Sequence, residues 1–145
     1  MPKWVREAYD EYITRLGAHL KVALTEIDPG SRTGGRTPES AMETEGQRLL
    51  AALRKDDYVI AMDEHGSQMT TRELSGWLST RMREGRDMAF LIGGPDGFAP
   101  EVLARADLRW SLSKLTFPHA LARVIVAEQL YRAQSVLANH PYHRD

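Results

Sequence analysis

The 145-residue chain contains no cysteine. That excludes disulfides, a thiol nucleophile and any thiolate metal site. It also lacks an apolar run near the ~20 residues a membrane-spanning helix needs. The N-terminus, Met1-Pro-Lys-Trp-Val-Arg-Glu7, has no apolar signal region. A cytoplasmic protein is the expectation. Neither a Gly-x-Gly-x-x-Gly fingerprint nor a Gly-Lys-Ser/Thr phosphate loop occurs. No serine sits in a Gly-x-Ser-x-Gly setting. Ser111 and Ser113 are near His119 in sequence, but capping or backbone hydrogen bonding is the preferred reading of both. Metal binding is poorly supported, because Pro141 separates His140 from His143 and disfavours a regular helix there. A net charge of −1 argues against a general nucleic-acid binder. The charge is uneven, however. Residues 102–145 carry six basic and three acidic side chains, for +3, while residues 1–101 carry 13 and 17, for −4. A basic C-terminal part can meet phosphate although the whole chain is slightly acidic.

What is present reads as alternating helices and strands. Trp4, Val5, Ala8, Tyr12 and Leu16 recur at helical spacing, so Pro2 to Leu16 is expected to be an amphipathic helix ended by Gly17. Lys21 to Ile27 alternates toward a strand. Asp28 to Thr37 holds turn-formers and no apolar side chain, and reads as a mobile loop. Its Arg32 and Arg36 are candidate RNA-phosphate contacts, with a solvated connection as the plainer alternative. Thr37 and Pro38 are the expected N-cap and first residue of a second helix reaching about Leu53, with Met42, Gly46, Leu49, Leu50 and Leu53 on one side. Tyr58 to Met62 reads as a strand, and Asp63-Glu-His-Gly66 as the turn after it. A third helix starts at Thr70 or Thr71, buries Leu74, Trp77, Leu78 and Met82, and stops at Gly85.

Met88 to Ile92 reads as a short buried strand that runs into Gly93-Gly-Pro-Asp-Gly97. Ligands of open α/β sheets bind where loops leave the carboxyl ends of strands. Glycines there let the backbone approach a bound molecule. Ala99 to Arg105 reads as a short helix, and Trp110 to Phe117 as a small strand leading into a loop. His119 to about Ala138 is the longest helix. Its run Val124 to Ala127 is wider than one apolar stripe, which suggests packing against both the sheet and a second subunit. The alternation implies an α/β fold, a mostly parallel sheet with helices on both faces. The tail Tyr142-His-Arg144 combines a stacking ring, a group titrating near neutrality and a phosphate fork.

Four segments carry a resemblance. They are Leu91-Ile-Gly-Gly-Pro-Asp-Gly97, Trp110-Ser-Leu-Ser-Lys-Leu-Thr-Phe-Pro-His119, Arg123-Val-Ile-Val-Ala-Glu-Gln-Leu-Tyr-Arg-Ala133 and Asn139-His-Pro-Tyr-His-Arg144. Together they resemble the RlmH family, SPOUT-class methyltransferases of the large ribosomal subunit RNA. The resemblance covers essentially the whole chain. It implies one SPOUT-like methyltransferase domain over residues 1–145, with the C-terminal segment threaded as a trefoil knot. It implies a homodimer through the C-terminal helix. It implies transfer from S-adenosylmethionine to N3 of a pseudouridine in 23S RNA of the assembled ribosome. No metal or membrane is implied. The cofactor pocket would involve Met62, the turn at Gly93 and Gly94, and the loop Leu112, Ser113, Lys114, Leu115, Thr116 and Phe117. Met62 stands where relatives tend to carry leucine. Relatives also begin with a further strand ahead of the helix that starts here at Pro2. Either the recorded start is late or the sheet lacks that strand.

The acceptor nitrogen is weakly acidic, so a nearby base or cation helps remove its proton. His143 is expected to act as that base or to orient the ring, with Tyr142 and Arg144 placing the nucleotide. Arg105, Arg109, Arg123 and Arg132 are further expected ribosome contacts. For Arg132 the alternative is an intrahelical pair with Glu128. The rival reading of the whole chain is a non-catalytic dimeric module that binds ribosomes or RNA.

Overall fold

The computed structural model describes residues 1–31 and 33–144. In chain order the elements are α1 (Lys3–Leu16), α2 (Pro38–Ala52), β1 (Tyr58–Ser67), α3 (Thr71–Glu84), β2 (Met88–Ile92), α4 (Pro100–Arg105), β3 (Leu108–Trp110) and α5 (His119–Leu137). They fall into two compact units. One is helical and comprises Met1–Leu24, Met69–Gly85 and Phe117–Asp145. The other carries the sheet and comprises Thr25–Gln68 and Arg86–Thr116.

In the sheet unit, β1 pairs in parallel with β2 on one side and β3 on the other, giving the order β2-β1-β3. Val59, Leu91, Ala99 and Val102 form a buried core under α2 and α4. Met42, Leu49, Leu50 and Leu53 of the α2 side pack on it, as their spacing implies. Gly46 has no room for a side chain, since a Cβ there would lie 2.9 Å from that of Ala99. Thr37 caps α2 by accepting the Ser40 N–H at 3.0 Å, with Pro38 at the first position. The amino ends of the strands are stitched together by arginines. Arg86 Nε donates to the Asp56 carbonyl at 2.9 Å, and Arg105 donates to the Asp57 carbonyl at 2.9 Å. Asp107 takes the Val59 N–H on its carboxylate at 2.8 Å.

In the helical unit, α5 packs against α1 and α3. Val5, Leu16, Leu74, Leu78, Leu130 and Ala133 are among its buried side chains. Ser75 is buried without penalty because its one hydroxyl proton is shared between the Thr71 and Ala133 carbonyls, both at 3.1 Å. Thr70 and Glu73 form a reciprocal capping box at the start of α3, and Gly85 ends it in the left-handed region, φ 74°.

Several expectations are corrected. Lys21 to Ile27 is not a strand. It alternates, but the described strands pair only with one another, and Val22 and Leu24 stay exposed. Alternation without a neighbour to complete the ladder makes no strand. The expected turn at Asp63–Gly66 lies inside β1, which pairs again at Ser67, opposite the same Trp110 as Met62, after a shift of register. Gly66 permits this, because a Cβ there would lie 2.5 Å from the Arg109 carbonyl oxygen. β2 is an edge strand and mostly half-buried rather than fully covered. Trp4 and Met82 are exposed, not core. The broad apolar surface of α5 already meets two helices of its own unit. Among the described residues no strand precedes α1.

Candidate functional site

The sheet register sets one row of three residues side by side. Met62 of β1 is opposite Ile92 of β2 and Trp110 of β3. Because both pairings are parallel, the loops after β2 and β3 leave the same end of the sheet, while β1 runs on to Ser67. This is where α/β sheets place ligands.

The first loop end is the glycine turn. Gly97 N–H donates to the Gly94 carbonyl at 3.2 Å, closing Gly94-Pro-Asp-Gly97 as a tight turn. Proline at its second position and glycine at its fourth suit that shape, and Gly97 takes φ 84°. Gly93 and Gly94 are each packed by a different side chain. A Cβ on Gly93 would lie 3.1 Å from the Phe98 ring, and one on Gly94 would lie 3.0 Å from Glu45 Oε2. The second loop end is residues 111–116. Ser111 N–H donates to the Ser67 carbonyl at 2.8 Å, and its buried hydroxyl donates to the Ser113 carbonyl at 2.8 Å. Ser113 Oγ accepts the Leu115 N–H at 3.0 Å. Both serines therefore shape the loop, as their preferred reading held. Thr116 Oγ1 donates to Glu64 Oε2 at 2.5 Å, which ties the loop's far end to the extension of β1. Leu115 is left 70% exposed. An exposed leucine on a loop held by these bonds presents apolar surface to solvent.

Met62, Gly93, Gly94, Leu112, Ser113, Lys114, Leu115 and Thr116 thus all belong to the sheet unit, and Phe117 opens the last segment of the helical unit. Backbone in tight glycine and serine turns can read an adenine edge, and Leu112 and Leu115 supply apolar surface.

The tail forms a second cluster, within the helical unit. Asn139 adopts φ 56°, the left-handed conformation that asparagine tolerates among non-glycine residues. Asn139 N–H then donates to Val136 and His140 N–H to Ser135, a Schellman closure followed by Pro141. The chain turns back along α5 as a result. Tyr142 packs its ring on Tyr131, centroids 4.6 Å apart, and under the Arg132 guanidinium at 4.8 Å. Its hydroxyl donates to Glu128 Oε1 at 3.1 Å. Burial, reinforced by the Glu128 carboxylate, pushes the phenol well above the ordinary tyrosine value. Tyr142 therefore stays protonated at neutral pH and is no base. Arg132 also pairs with Glu128 at 2.5 Å, and that bond raises its pKa above the ordinary arginine value. The same guanidinium contacts His143 Nδ1 at 3.1 Å. Guanidinium only donates, so Nδ1 accepts and a neutral His143 carries its proton on Nε2. Arg144 is exposed.

Two of the expected ribosome-contacting arginines are committed elsewhere. Arg105 holds the Arg54, Lys55 and Asp57 carbonyls at the amino ends of the strands. Arg132 makes the intrahelical pair weighed as its alternative. Arg36 and Arg109 are exposed, and Arg123 is half-buried. Arg32 lies outside the described residues. Sequence reasoning missed Glu45, Glu64 and the tail's dependence on Tyr131. Glu45 sits beside the apolar stripe of α2, a position that does not announce burial.

A family model described as predicted SPOUT methyltransferase matches residues 1–143. A protein of Stenotrophomonas maltophilia (strain R551-3), named ribosomal RNA large subunit methyltransferase H, is 52% identical over 143 residues, covering 99% of this chain and 92% of the relative. Proteins of the same name from Alkalilimnicola ehrlichii and Methylococcus capsulatus are 53% and 50% identical, covering 99% of this chain and 92% and 93% of theirs. The family model over residues 1–143, with relatives about half identical along nearly their full length, places the chain in the RlmH family of SPOUT methyltransferases.

Proposed function

We propose that the chain methylates N3 of a pseudouridine in large-subunit ribosomal RNA, within the assembled ribosome, using S-adenosylmethionine. The observation that supports it most is the row Met62, Ile92 and Trp110, from which the glycine turn and the 111–116 loop depart at the same end of the sheet. Met62, Gly93, Gly94 and residues 112–117 hold the cofactor, whose sulfonium supplies the methyl group. Tyr142, His143 and Arg144 serve the acceptor nucleotide. The Arg132 contact favours an orienting task for His143, since Nε2–H can donate to a carbonyl beside N3. Arg36, Arg109 and Arg123 meet ribosomal phosphate. The same family reading brings the trefoil knot, helices on both sheet faces, a single domain over residues 1–145, a homodimer through α5 and work in the cytoplasm.

The test is transfer of labelled methyl onto ribosomes that lack the modification. One label per large subunit, mapped to N3 of a pseudouridine, is the expected result. Ribosome binding without transfer would favour a non-catalytic module. His143→Ala should lower transfer while leaving ribosome binding intact, and full methylation by that variant would refute the tail's role.

A further inference from the structure

Glu45 is a carboxylate on α2 that is only 8% exposed. Burying such a group is costly unless it is bonded, so its partners carry information. Its Oε1 accepts the Gly30 N–H at 3.1 Å. Its Oε2 lies against Gly94, at 3.0 Å from where a Cβ would be. One side chain therefore touches both the segment Asp28–Gly30 and the glycine turn after β2. The grip on the segment has two further parts. Arg48, one turn along α2, donates to the Asp28 carbonyl at 2.8 Å and the Pro29 carbonyl at 3.1 Å. Gly30 is buried so closely on α2 that a Cβ would lie 2.4 Å from the Ala41 carbonyl oxygen. The start of the 28–37 loop is thus clamped, while Arg36 further along it is exposed.

We propose that Glu45 is a positioning residue that couples the cofactor turn at Gly93–Gly94 to the arginine-bearing loop 28–37, so that S-adenosylmethionine binding steadies the loop that meets RNA. The proposal rests on the cofactor assignment given above. A ligand that packs on Gly94 holds the carboxylate in place, and the carboxylate holds Gly30. By reciprocity, loss of the carboxylate weakens the ligand.

The experiment uses the full chain and two readouts, calorimetric titration with S-adenosylmethionine and the rate of tryptic cleavage after Arg36. In the unaltered protein, saturating cofactor should slow cleavage several-fold. Glu45→Asp withdraws the carboxylate by one methylene, and Glu45→Ala removes it. Each should weaken cofactor binding on the order of tenfold, the scale of one lost hydrogen bond to a charged group, and should abolish the cofactor's effect on cleavage. Glu45→Gln keeps length and an acceptor oxygen, and should restore both within about threefold. In methyl transfer, Glu45→Asp should raise KM for the cofactor and spare kcat, whereas a general loss of folded protein would lower kcat alone. If Glu45→Ala does not fold, Glu45→Asp carries the test. Unaltered protein that fails to bind S-adenosylmethionine would overturn the cofactor assignment and this proposal together. Binding by the unaltered protein, with equal affinity and equal loop protection in Glu45→Asp, would overturn the coupling alone.

Discussion

Gly66→Ala and Gly76→Ala should shift stability in opposite directions, and the reason is visible at each glycine. At Gly66 the new methyl would lie 2.5 Å from the Arg109 carbonyl oxygen and 2.6 Å from its carbon. Those are backbone atoms of β3, which cannot swing aside as a side chain can. The bulge between β1 and β3 must open by several tenths of an ångström. Such overpacking costs about 1–3 kcal/mol. Lower chain entropy in the unfolded alanine variant returns roughly 0.4–1 kcal/mol. The net expectation is a loss of about 1–2 kcal/mol. At ~2–4 °C per kcal/mol for a chain of this size, the melting temperature should fall by several degrees. Gly76 is on the exposed side of α3, with nothing within 4 Å of a would-be Cβ. Alanine there should gain roughly 0.5–1 kcal/mol from helix propensity. Scanning calorimetry of both variants reads the difference. Gly66→Ala should also weaken cofactor binding, because the neighbouring Ser67 carbonyl holds the Ser111 N–H that begins the second loop. A Gly66→Ala protein as stable as the unaltered chain would refute the claim that β1 and β3 need this close approach.

Asn139→Gly should be close to neutral, whereas Asn139→Val should cost about 1–2 kcal/mol, since valine resists positive φ; thermal melts distinguish them. Glu128→Ala should free the tail, seen as faster amide exchange over residues 139–144, at a stability cost of about 1–2 kcal/mol once solvent screening of the partly exposed pair is allowed for. The Glu73 carboxyl is held below its ordinary value of 4.5 by its bond from the Thr70 backbone and then by the Thr70 hydroxyl. A lowered carboxylate stabilises the fold above its unfolded pKa and loses that contribution as pH falls through the folded value. Thr70→Ala should therefore lower the melting temperature at pH 7, with the gap from the unaltered chain narrowing as pH falls below 4.5.

The helices were legible because their signals are local. Thr37-Pro38, the Thr70–Glu73 box and Gly85 act within one turn of chain, and the structure uses each as its chemistry suggests. β2 was legible for the same reason, bounded as it is by Asp87 and two glycines. Lys21 to Ile27 misled because a strand is a relation between segments, and alternation records only one partner's half. The extension of β1 to Ser67 depended on the close approach of Arg109, some forty residues away, which leaves no trace in the local pattern beyond one glycine. The site divides similarly. Glycines at a strand end marked the turn after β2, and the structure forms it there. Glu45, which bonds Gly30 and lies against Gly94, and Glu64, which holds Thr116, are surface-type residues whose partners are distant in sequence. The tail's residue types were plain, but the Schellman closure that folds them back onto Glu128 and Arg132 required an asparagine in the left-handed region, which sequence permits without demanding.

Amide hydrogen exchange with and without S-adenosylmethionine tests most directly whether the carboxyl ends of the three strands are the methyl-donor site. Slower exchange confined chiefly to residues 93–98 and 111–117 is the expected result. Binding with unchanged exchange in both segments would contradict the assignment of the site.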